Sequence, residues 1–156
     1  MLVIVLILGL VFLGIRRVPR RYRVPLWTLV IAACVVPWWG FQWHSHWSRV
    51  SWWPFVTGPL RLRDVAVNLL LYMPFGWFFV QGRPWSRSRA SAAVAAGCLL
   101  SLGTELTQVY SHGRFPSATD VVMNGLGTVA GVVAGWPSRL QPRQPESVSG
   151  RPEAGE

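Results

Sequence analysis

Three carboxylates in this chain each have a side-chain amide one helical turn further on: Asp64 with Asn68, Glu105 with Gln108, and Asp120 with Asn124. Spacings of three and four put both members of each pair on one face of a helix. Arg114, in the short stretch YSHGRFPSAT, supplies a positive charge between the second and third pairs. Two chemistries suit such a set. In a binding site, Arg114 would hold an anionic group while Glu105, Gln108, Asn68 and Asn124 supply hydrogen bonds. In an enzyme, Glu105 would be a general base, with Asp64 and Asp120 orienting it or holding a divalent metal. The binding chemistry ranks first, because no nucleophile has a base beside it and His112 reads as a solvated loop residue. Asp64 and Asp120 each precede an apolar run and read equally well as N-caps. Glu105 has no such bland reading. It lies near the C-terminal end of its run, where a negative charge opposes the helix dipole, so it needs Arg114 or a proton.

The elements that must carry these residues are apolar. Half of the 156 residues are hydrophobic (51%) and only 13% are charged, about half the charged share of a soluble domain. Five apolar runs follow one another: Leu2–Ile15, Leu26–Trp43, Val65–Gln81, Ala90–Tyr110 and Val121–Trp136. They imply an all-α integral membrane protein, a bundle of about five transmembrane helices. The first run is the weakest span, since its length as a helix is only ~23 Å against a ~30 Å hydrocarbon core. Its charge follows the apolar stretch and no small-x-small site is present, so it reads as an anchor rather than a signal peptide. Pro37 is expected to kink the second run near Trp38, Trp39 and Trp43, which suit the headgroup level. Residues 44–63, mixing Trp, Pro, Gly and Arg, read as an interfacial loop. The Pro- and Ser-rich residues 137–156 read as a disordered tail. Three parts result: residues 1–25 as a helix and basic loop, 26–136 as a four-helix membrane domain, and the tail.

Small residues mark the packing faces. Ala93, Gly97 and Ser101 lead to Glu105 at four-residue intervals, and Gly127, Gly131 and Gly135 form overlapping G-x-x-x-G patterns. These stripes predict close packing of the fourth helix on the fifth, opening into a polar pocket at one end. The Arg distribution orients the bundle. Eleven of the 15 Arg fall on the side of the loop after the first run and four on the other, placing the N-terminus outside and the C-terminus in the cytoplasm. All three carboxylate–amide pairs then gather on the external face. The formal charge of +9 is read as this topological signal, and no nucleic-acid partner is expected. Cys34 and Cys98 sit inside apolar runs and read as packing residues. The His44-x-His46 pair is read as bland, and neither a metal nor a cofactor is expected.

At this point the ordered set D-x3-N-x5-PFG (Asp64, Asn68, Pro74–Gly76), E-x2-Q (Glu105, Gln108) and R-x5-D-x3-N (Arg114, Asp120, Asn124), followed by the glycines, resembles the VanZ-like family. The resemblance covers roughly residues 64–135. It implies a small multi-pass protein of the bacterial cytoplasmic membrane. The name-giving member is an accessory protein of glycopeptide-resistance clusters associated with teicoplanin resistance. The resemblance thus implies a phenotype class without a reaction; the one-sided gathering of paired polar residues points to binding or modification of a cell-envelope amphiphile, such as a membrane lipid, a lipid-linked wall precursor or a lipoglycopeptide. An intramembrane enzyme acting on a lipid-linked substrate is the second reading. An oligomeric transporter or flippase is the third.

Overall fold

The computed structural model describes residues 2–38, 40–56 and 62–135. Trp39, Arg61, Trp136 and the expected tail, with Arg139, Arg143 and Arg151, lie outside the described residues. Five α-helices and no strand are present among the described residues: α1 (Leu2–Arg17), α2 (Arg20–Val35), α3 (Leu62–Val80), α4 (Arg87–Gln108) and α5 (Ala118–Ala134). Among the described residues, a 3-10 turn, Trp47–Arg49, interrupts the connection from α2 to α3.

The second helix departs from expectation at both ends. It starts at Arg20 rather than Leu26, so only Val18 and Pro19 separate it from α1 and the basic loop is much shorter than expected. It stops at Val35 rather than Trp43. Val36 precedes Pro37 and is extended (φ −68°, ψ 132°), because the proline ring disfavours helical backbone in the residue before it. Pro37 thus ends the helix instead of kinking it. Pro25 lies inside the helix, in its second turn.

By length and composition α4 alone is long and apolar enough to cross a membrane among the described residues, with α5 apolar but shorter. The 22 residues of α4 rise about 33 Å, whereas α1 and α2 have 16 residues each and would rise about 24 Å.

Two packing centres organise the helices. Ile15 of α1, Trp27 and Ile31 of α2, and Leu71, Tyr72, Phe75 and Phe78 of α3 form one core. Trp27 is fully buried, and its indole Nε1 donates to the Leu71 carbonyl at 2.7 Å, near the rung of α3 that Pro74 cannot supply. The second centre is α5, held between α3 and α4. A Cβ on Gly127 or Gly131 would strike the backbone carbonyls of Leu69 and Met73, and one on Gly76 would strike Thr128. The glycine stripe of α5 therefore packs on α3, not on α4 as the spacing suggested. The small-residue stripe of α4 does face α5, where Gly97 meets the Thr128 side chain. Each α5 face follows its own chemistry: glycine lets backbones touch on one side, while Asn124 and Thr128 meet α4 on the other.

Candidate functional site

The polar residues concentrate at the end of the bundle where α3 and α5 begin and α4 finishes. Asp120 is the third residue of α5, not the cap before it. Ser117 is the N-cap (φ −136°, ψ 130°), and its side chain accepts from the Thr119 N–H. In a capping box the residue three on would return a carboxylate to the cap's own N–H. Here Asp120 does something else: its Oδ1 accepts from Asn68 Nδ2 at 2.7 Å, tying α5 to α3. The vacant role falls to Glu105 of α4, whose Oε2 accepts from the Ser117 N–H at 2.9 Å. Its other oxygen, Oε1, accepts from Gln108 Nε2 at 3.3 Å. Glu105 therefore sits against the positive end of the α5 dipole, which offsets its position at the negative end of α4.

One turn deeper, Asn124 Nδ2 donates to Ser101 Oγ at 2.8 Å, leaving Asn124 Oδ1 buried without a partner. The hydroxyls of Tyr72 and Thr104 lie 3.3 Å apart, and Thr104 Oγ1 also donates to the Ser101 carbonyl. Thr128 Oγ1 donates to the Asn124 carbonyl. Polar side chains thus run along the line where α3, α4 and α5 meet.

The expected site residues divide into two groups. Glu105 and Gln108 are each 6% exposed and Asn124 is 2% exposed, so these three fill the bundle end rather than line an open pocket. Asn68 and Asp120 are half-buried, and Asp64 and Arg114 are exposed. Arg114 forms no ion pair with Glu105 among the described residues; the neighbour that takes the Glu105 charge is the α5 N-terminus. Among the packing residues, Gly97 and Ser101 are buried against α5, and Gly127, Gly131 and Gly135 are buried on the α3 side.

Ser117, Tyr72, Thr104 and Thr128 are absent from the sequence expectation, and three of them carried a signal. Ser117–Asp120 has capping-box spacing ahead of an apolar run. Tyr72 and Thr128 lie four residues beyond Asn68 and Asn124, so the same helix-face argument extended by one turn reaches both.

Two connecting segments cover this end. The Gln42 N–H donates to the Tyr110 carbonyl, the His46 N–H to Val109, and the Ser51 N–H to Pro116. The Arg49 guanidinium donates to the His112 carbonyl at 2.6 Å. The α2–α3 connection is thereby sewn onto the α4–α5 connection, and it exposes Trp38, Phe41, Trp43, Trp47, Trp52, Trp53 and Phe55.

The family model described as VanZ/LLP1 matches residues 1–136, and the chain belongs to that family. The match takes in α1 and α2 as well as the segment that carries the polar motif. Neither curated proteins nor solved structures yielded a match.

Proposed function

We propose that this VanZ/LLP1-family chain is a multi-pass protein of the bacterial cytoplasmic membrane that engages a cell-envelope amphiphile at the covered polar end of its bundle. The observation that carries the reading is an inverted distribution of polarity. Apolar side chains point outward at helical intervals: Leu2, Leu6, Leu10 and Leu13 on α1, Leu99, Leu102 and Leu106 on α4, and Leu126, Val129 and Val133 on α5. Inside lie Ser101, Thr104, Glu105, Gln108, Asn124 and Thr128. Water would reverse that arrangement, whereas lipid favours it.

In this reading the aromatic-rich connection lies at the external headgroup level, where Trp is favoured. An amphiphile would rest its apolar part against that aromatic surface. Its polar part would meet Asp64, Asn68 and Asp120 at the rim, with Arg114 available for an anionic group. Reaching Glu105 requires the two sewn connections to part. Both Glu105 oxygens already accept hydrogen bonds from the protein, which favours binding over proton abstraction. At the opposite end a cavity of about 400 Å³ is lined by Arg20, Arg21 and Arg83 together with Val24, Phe78 and Phe79. Such a basic, half-apolar cavity suits an anionic lipid on the cytoplasmic side.

The test is the susceptibility of a Gram-positive host to teicoplanin and to vancomycin, with and without the chain. Selective protection against teicoplanin, lost in Glu105→Gln at equal membrane abundance, is the expected result. Equal susceptibility with the chain present in the membrane would remove the glycopeptide from the proposal.

A further inference from the structure

The sequence pairs His46 with His44, but the fold pairs it with a residue 66 positions away. His112 Nδ1 lies 2.9 Å from His46 Nε2 and 3.1 Å from Gln42 Oε1. His46 Nε2 and Gln42 Oε1 are 3.5 Å apart. The two rings meet edge to face at 87°, with centroids 4.4 Å apart. Two ring nitrogens and one amide oxygen from two connections thus lie within 3.5 Å of one another. A single N–H between them satisfies part of the set, and the third edge stays acceptor against acceptor when both rings are neutral.

We propose that Gln42, His46 and His112 form a binding site for a first-row divalent cation of the zinc type. Nitrogen and oxygen ligands bind Zn²⁺ at about 2.0–2.1 Å, and in a tetrahedron two such ligands lie ~3.3 Å apart. The three edges of the triangle bracket that value. A cation set slightly out of the Gln42–His46–His112 plane would therefore reach all three atoms with little movement. The two imidazole donors favour zinc or copper over calcium or magnesium. The donors are held in advance by bonds that need no metal: Gln42 and His46 donate backbone N–H groups to Tyr110 and Val109. Gln42 and His112 are exposed and His46 is partly buried at the surface, so a cation reaches them without unfolding the cover.

The surroundings of the site set its pH behaviour. Desolvation, together with the positive charge available on His112, Arg49 and His44, holds the His46 imidazole below the usual histidine range. The Arg49 guanidinium, bonded to the His112 carbonyl, moderates the affinity for a cation. A bound cation would clip the α2–α3 connection to the α4–α5 connection over the polar end of the bundle.

The experiment is calorimetric titration of Zn²⁺ into the detergent-solubilised chain, purified without a polyhistidine tag, at about pH 7.5 and about pH 5.5. One Zn²⁺ per chain is expected at the higher pH, with weaker binding at the lower, where imidazoles protonate. His46→Gln and His112→Gln, which keep size and polarity, should each weaken binding by about tenfold or more, as Gln42→Ala should to a smaller extent. His44→Ala should leave it unchanged, and helical circular dichroism should be the same throughout. Absence of Zn²⁺ binding by the unmodified chain would overturn the site. So would binding that survives the double His46→Gln, His112→Gln variant, or that depends on His44. None of these outcomes depends on the proposed amphiphile.

Discussion

Glu105 shows how one buried carboxylate is stabilised by a neighbouring helix rather than by an opposite charge. Its two oxygens take the Ser117 N–H and the Gln108 amide, so removing the side chain leaves one buried donor (Gln108) and one part-buried donor (Ser117) unpaired. Glu105→Ala should lower stability by about 1–3 kcal/mol for each unpaired donor. Glu105→Gln keeps an acceptor for Ser117, and the Gln108 amide turns to meet the new NH₂, so the cost should fall to about 0.5–1.5 kcal/mol. Unfolding in detergent followed by tryptophan fluorescence measures both, and equal stability of the two variants would mean these bonds do not hold the end of α5. At this scale the sequence was informative about partners within a helix and silent about partners across the fold. Gln108 follows from Glu105 by counting three residues. The displacement of Arg114 by the Ser117 N–H does not, because it depends on where α4 ends relative to the start of α5. His46 is the sharper case: its local partner, His44, is the wrong one, and the geometry came from a connection 66 residues away.

At the scale of the elements, the existence of five helices was legible from five apolar runs, and their boundaries were less so. Apolar character carries through Pro37 to Trp43, but helical backbone stops at Val35, since hydropathy reports burial in lipid or protein and not dihedral angles. The glycine pattern had a similar ambiguity. Its four-residue period correctly marked a close helix contact, yet period alone names no partner, and α5 has both α3 and α4 beside it. The assignment to α3 is open to a direct test. Gly131→Ala pushes a methyl group into the Met73 carbonyl and the Trp77 backbone nitrogen, so α3 and α5 must separate. Overpacking of this kind costs about 1–3 kcal/mol. Gly103, exposed on α4, is the control, because a methyl group added there would meet nothing within 4 Å. Gly103→Ala should be neutral or stabilise by up to about 1 kcal/mol through helix propensity. Thermal unfolding of the two variants decides it: a Gly131→Ala protein as stable as Gly103→Ala would show that the α3–α5 contact is looser than the carbonyl approach requires.

For the whole molecule, an apolar exterior surrounds both an apolar core and a polar seam between α4 and α5, and the pairing of that exterior with that seam is what favours the proposed lipid surroundings. Among the described residues, hydropathy singles out α4 alone as long and apolar enough to span, yet α4 is packed on α5, and α5 is locked to α3 through backbone contacts that leave no room for water or lipid. A bundle so joined would enter the bilayer together or not at all, because separating α3 from α5 in lipid would expose Asn68 and Asp120, and separating α4 from α5 would expose Asn124. In the proposed membrane placement, the Arg distribution predicts the α3–α4 connection inside and the α4–α5 connection outside. The labelling positions follow from exposure. Ser111 lies in the α4–α5 connection but is 3% exposed, so a label there would report burial, not side. Gly113 is exposed with open space around it, and Ser88 is exposed at the other end of α4. In a chain with Cys34 and Cys98 replaced, Gly113→Cys should react with a membrane-impermeant maleimide on intact cells, and Ser88→Cys only after permeabilisation. The reverse pattern would turn the polar end and its aromatic cover toward the cytoplasm, where an extracellular glycopeptide cannot reach them. Reaction of both positions on intact cells would mean that α4 does not cross, and the inverted polarity would then need a protein partner in place of lipid.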